Sequence, residues 1–393
     1  MKSWINKYEK EIAILGICVF SGCIEPFNTE FVDFEDAFVV DATITDEMIR
    51  QEINLTRTYR FNDDGPLEES GASVIVMDNK GNRYNFEETE GGVYRSTVAF
   101  AAAKDTEYQL MITSASGKQY NSSSMTLPVS NPIDSLYAKR ITNDLGEDGI
   151  GIFIDTSNPD QSINFYRYEY EETYKVIAPR WNTKELEVIE GELPIIVIGP
   201  RSDGERVCYP TNKSNNFILV DTEELETGKV SNFLVRFVNS DDYILSYRYS
   251  ILVRQFIHTQ KAYDFLKTLN EFSASESLFS ETQPGFLEGN ISSVENSNEK
   301  VLGYFDVASV TEKRIFFNYE DFFLDEPLPK YIDPCHESAP LNGLLDLIRW
   351  DLIKYIKDNE GEFPGGGPYI TVPQVCGDCT ILGPSEVPDF WIE

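Results

Sequence analysis

The sequence predicts a mainly β protein: an N-terminal immunoglobulin- or transthyretin-like β-sandwich, followed by a second β-rich domain carrying two docked helices. Three observations carry this prediction. Between residues 37 and 130, short runs of alternating apolar residues are separated by turn residues. From 131 onward, longer runs rich in Tyr, Phe and Val continue as strands. Helical spacing appears at two places only, after Thr259 and again over 341–357.

Taken in order, "FVV" at 38–40 and "INL" at 53–55 open the first unit, and "GASVIVMDNKGNRYNF" places Val74 and Val76 before a turn at Asp78 to Gly81. "EGGVYRSTVAF" and "EYQLMITSASGKQY" repeat the scheme, giving seven or so strands, as in a sandwich of about ninety residues. "PVSNPID" at 128–134 reads as a hinge, because its two prolines exclude regular ladder bonding. The second unit, 131–330, contains "INFYRYEYEETYKVIAP", "NFILVDT", "VSNFLVRFVNS" and "YILSYRYSILVRQF" as strands. Within it, Thr259 is an N-cap residue, and Ala262, Phe265, Leu266 and Leu269 follow at i, i+3, i+4 and i+7, predicting an amphipathic helix over 259–272. The last segment, 331–393, should hold a second helix with Leu344, Leu345, Ile348, Leu352 and Ile356 as its buried stripe. After it, the Pro- and Gly-rich tail reads as irregular chain stapled by cysteines and anchored by Trp391.

The formal charge is −33, from 66 acidic and 33 basic residues. Such a field repels phosphate backbones, so nucleic acid is not an expected partner.

The apolar run 12–22 is about eleven residues, roughly half of what a membrane-spanning helix needs. Lys2, Lys7 and Lys10 precede it and Ser21-Gly22-Cys23 closes it, a pattern that resembles a bacterial lipoprotein signal. Residues 1–22 are then a signal peptide and Cys23 the lipidated first residue of the mature chain; Ile17 makes Cys18 the poorer candidate. Residues 23–36 are an acidic tether.

Cys208, Cys335, Cys376 and Cys379 remain, an even number that suggests two disulfides with three possible connectivities. A zinc site from Cys376, Cys379, Cys335 and His336 is the weaker alternative, since adjacent Cys335 and His336 fit one tetrahedral site poorly.

Catalytic signals are absent from the sequence. His258 and His336 are the only histidines and neither has a partner by spacing, so His258 reads as structural. No phosphate-binding loop, dinucleotide fingerprint, nucleophile elbow or zinc-protease motif occurs. The chain is therefore expected to be non-catalytic, without cofactor or metal. Tyr166, Tyr168, Tyr170 and Trp181 are candidates for stacking on sugars, against the plainer reading of tyrosines covering a sheet.

Together, "AFVVDATITDE" with "INLTRTYRF", "GASVIVMDNKG", "GGVYRS", "NPIDSL", "YSILVRQFIHTQKAYDFLKTL", "QPGFLEGNISSVENSNEKVLGYFDVASVTEKRIFF", "CGDCT" and the final "PDFW" resemble the Bacteroidota lipoproteins of the domain of unknown function 4249 family. The segments are spread over nearly the whole mature chain in family order. The resemblance implies a surface-exposed outer-membrane lipoprotein encoded beside barrels of the TonB-dependent receptor type, with no known enzymatic activity; the expected role is a non-catalytic accessory subunit of such a β-barrel, or of a larger complex for outer-membrane protein assembly or export. The alternative from the aromatic residues is a freestanding glycan-binding protein on the cell surface. One departure bears on the side of the membrane: the acids after Cys23 are spread over Glu25, Glu30, Asp33, Glu35 and Asp36 rather than clustered beside the lipid.

Overall fold

A computed structural model describes residues 37–59, 65–158, 163–223, 228–274 and 287–393. The expected signal peptide, Cys18, Cys23 and the expected acidic tether lie outside the described residues. Among those described, no helix is long and apolar enough to cross a membrane.

The expected β architecture is present. In the first unit, alternation buries one face of each strand: Phe38, Val40, Ala42 and Ile44 from strand Phe38–Thr45, and Val74 and Val76 from strand Ser73–Asp78. Val74 sits opposite Ile112, and Val76 opposite Leu110, on the antiparallel strand Glu107–Thr113. The turn at 78–82 is held by the Asp78 carboxylate, which accepts from the amides of Lys80 and Asn82.

Residues 37–130 do not close this core by themselves. Ile291, Val301, Phe305 and Val307 complete it from far along the chain. The agent is one 18-residue strand, Val301–Asn318. Its first part lies parallel to Phe38–Thr45, from Phe38 opposite Val301 to Thr45 opposite Ala308. Its second part runs antiparallel to Arg248–His258, from Ile257 opposite Ser309 to Arg248 opposite Asn318. A single strand thus belongs to both units, and its backbone ladder ties them together. The segment 128–134, expected as a hinge, is pinned at this junction. Asn131 is buried, its carbonyl accepts from Gln255 and Thr311, and its amide donates to Tyr166.

In the second unit, Phe165–Tyr174 and Arg248–His258 face a three-stranded sheet of Ser135–Thr142, Asp148–Thr156 and Val230–Asn239. Ile150, Ile152, Ile154, Tyr166, Tyr168, Ile251 and Val253 fill the space between.

The predicted helix is Gln260–Ala274, with the Thr259 hydroxyl accepting from the Ala262 amide. Phe265 packs on Tyr304 and Tyr263 on Phe165, with ring centroids 5.1 and 5.3 Å apart. This docks the helix on two strands of the large, 15-stranded sheet that the shared strand makes continuous between the units.

The second predicted helix is mostly not one. Helix covers only Leu344–Arg349, and Ile353–Asp358 is a strand paired with Tyr369–Pro373, inside the tail expected to be irregular. Asp351, at φ 53°, turns the chain out of the helix. Beyond it, the β-branched and aromatic residues of "IKYI" find a strand partner in "YITV", and pairing overrides the helical period. Of the expected stripe only Leu344 is buried.

The tail is stapled as expected, and the structure decides between the connectivities: Cys208 pairs with Cys379 and Cys335 with Cys376. Trp391 packs edge-on against Tyr209 and Phe316.

Candidate functional site

Because strand residues alternate, the face of Phe38–Thr45 turned away from its core carries Val39, Asp41 and Thr43. The parallel register sets these beside Leu302, Tyr304 and Asp306. His258 at the end of its strand and Arg167 on the neighbouring strand extend the same surface, and Phe265 and Leu266 of the helix face it. The result is a cavity of about 600 Å³, apolar over most of its wall. Gly303 is required beneath it: its φ is +108°, and a Cβ there would lie 1.8 Å from the Val40 carbonyl oxygen.

Polar groups gather at one part of this wall. His258 Nδ1 lies 2.5 Å from Asp306 Oδ2, and the two side chains are 1% and 5% exposed. The imidazole Nδ1–H donates to the carboxylate, which orients the ring. His258 Nε2, Asp306 Oδ1 and Arg167 Nε are buried without a hydrogen-bond partner. Arg167 is otherwise engaged, its Nη1 2.8 Å from Glu169 and its guanidinium 4.3 Å above the Phe256 ring. Asp41 is enclosed by protein yet open to solvent in the cavity; burial pushes its carboxyl up, and Arg167 works against that shift. Burial, with the charges of Asp306 and Asp264, raises the Tyr304 phenol to about 12.

Sequence spacing did not reveal this cluster. Asp306 is 48 residues from His258, and only the meeting of the end of strand Arg248–His258 with the interior of strand Val301–Asn318 brings them together.

The aromatic candidates are placed differently. Tyr166 and Tyr168 are 0% exposed and form part of the second core, so they offer no ring face to a sugar. The Tyr168 hydroxyl donates to Gln255 inside that core. Tyr170 and Trp181 are half-buried against it, under Arg236 and Arg206 respectively. The four do not make a common platform, which corrects the stacking expectation.

Asp333, Cys335 and Cys376 lie close enough to share a metal, but both sulfurs are spent in the Cys335–Cys376 disulfide. A disulfide sulfur carries no thiolate to donate, so the zinc alternative loses its ligands.

A second surface stands out at the far end of the second unit. The hairpin Lys184–Ile189 and Ile195–Pro200 exposes Ile189 and Ile195, and its turn carries Leu193, 85% exposed. Arg349 reaches Glu190 in this turn through two contacts of 2.9 and 3.0 Å, which brings Trp350, 71% exposed, to the same end.

These features define a mainly β protein of two β-rich units with a disulfide-stapled tail and a helix-lined cavity. A family profile described as Domain of unknown function (DUF4249) matches residues 24–314, and the chain belongs to that family. No curated protein matches the chain.

Proposed function

We propose that this protein is a lipid-anchored accessory subunit of an outer-membrane β-barrel complex, displayed on the cell surface and non-catalytic. The barrel is of the TonB-dependent receptor type or belongs to a larger assembly or export complex. The observation that carries this reading is the apolar end formed by Ile189, Leu193, Ile195 and Trp350. Large apolar side chains rimmed by charges such as Glu190 and Arg349 are the usual composition of a protein-docking surface. The lipoprotein-type signal before Cys23 supports the anchor, as does a family match that begins one residue after Cys23.

The test is affinity purification from native outer membranes. A β-barrel protein should co-purify with the parent chain, and Leu193→Asp with Trp350→Asp should abolish its recovery while the variant remains in the membrane. Mass spectrometry should find diacylglycerol on Cys23. An unlipidated Cys23, or recovery of the barrel undiminished by the double substitution, refutes the anchor or the docking surface respectively.

A further inference from the structure

We infer that the cavity between the helix Gln260–Ala274 and the large sheet is a binding site for an uncharged amphiphile, its apolar body against Phe265, Leu266 and Leu302 and a hydroxyl head at His258 and Arg167. Its size falls within the ~300–1,000 Å³ of ordinary small-molecule sites, and its wall combines an apolar majority with a few convergent polar groups.

The unpartnered atoms give the site its selectivity. Buried polar atoms are normally hydrogen-bonded, so His258 Nε2 and Arg167 Nε, on side chains that line one cavity, call for an occupant. In the tautomer that commits Nδ1–H to Asp306, Nε2 is an acceptor, while Arg167 Nε is a donor. A hydroxyl answers both, donating its proton to Nε2 and accepting from Nε–H. A carboxylate head is disfavoured, because the carboxylates of Asp41, Asp306 and Glu169 already surround Arg167 here and a further one adds like charge. An ammonium head has no lone pair to accept from Arg167 Nε–H and sets a like charge beside the guanidinium while losing its own water.

The experiment uses the full chain carrying Cys23→Ala, in buffer without detergent, and the neutral fluorophore N-phenyl-1-naphthylamine as probe. Saturable binding to one site is expected, displaced by 1-nonanol at least about tenfold more effectively than by nonanoate or nonylammonium, the discrimination that one well-made hydrogen bond supplies. Leu266→Trp, which fills the cavity, should remove probe binding. His258→Phe should retain the probe and lose the preference for the alcohol, and His258→Gln should restore part of it. Circular dichroism checks that each variant is folded; if His258→Phe is not, the competitor series and Leu266→Trp decide alone. Probe binding that does not saturate, or that survives Leu266→Trp, overturns the site. Equal competition by either charged amphiphile overturns the ligand class. Neither result touches the docking surface around Trp350, so the two proposals fail separately.

Discussion

Glu172 and Arg236 meet across the two sheets of the second unit, with Arg236 Nε 3.0 Å and Nη2 3.1 Å from the Glu172 carboxylate, and the buried Tyr249 hydroxyl donates to the same group at 2.5 Å. Glu172 is 3% exposed. Removing one partner of such a pair leaves the other charged and desolvated. Glu172→Leu should therefore lower unfolding free energy by about 3–5 kcal/mol, and Glu172→Leu with Arg236→Leu should recover much of that loss. Urea denaturation of the three forms measures it; a double variant as unstable as the single would show that the pair itself stabilises the fold.

The two disulfides close loops with sequence separations of 171 and 41 residues. Each should contribute roughly 2–5 kcal/mol, so Cys208→Ser with Cys379→Ser, or reduction by dithiothreitol, should lower the melting temperature. Peptide mapping under non-reducing conditions should recover Cys208 with Cys379 and Cys335 with Cys376. Any other pairing would contradict the fold of the tail.

Asp378 links that tail to pH. Burial pushes its carboxyl up, but hydrogen bonds from the Thr380 hydroxyl and amide and the nearby Lys354 ammonium outweigh burial and hold it below the usual carboxylate range. A group depressed in the folded state contributes its stabilisation above the unfolded value of about 3.9 and loses it as pH falls through the folded value. Asp378→Asn should cost about 1–3 kcal/mol at pH 7 and progressively less toward pH 3. A pH-independent difference in denaturation midpoints would refute the assignment.

Gly303 lies in the strand shared by both units, at φ +108° and against the Val40 backbone. Gly303→Ala must strain the backbone or push the two strands apart, for a loss of at least about 2 kcal/mol. Thermal unfolding should report it. An unchanged melting temperature would mean that the strands are not this close.

Much of the local structure was legible in the sequence. The period-two pattern around Val74 and Val76, the Asp78 turn and the Thr259 cap are each specified by neighbours within a few residues, and they appear as read. The stretch 344–358 was not legible, because the same apolar residues satisfy a helical period and a strand with a partner; the partner, Tyr369–Pro373, decided it. Likewise, the pattern marked Tyr166 and Tyr168 as sheet residues without saying which face would be covered. The packed three-stranded sheet put both inside.

By itself the sequence determined the fold class and the presence of cysteines suited to two disulfides, because these depend on composition and short-range spacing. The tertiary structure alone decided which cysteines pair, that Val301–Asn318 completes both cores, and that His258 meets Asp306 beside an apolar cavity. Those relationships depend on strand register across long chain separations, where a shift of one residue would turn Asp306 to the opposite face and leave His258 without its partner.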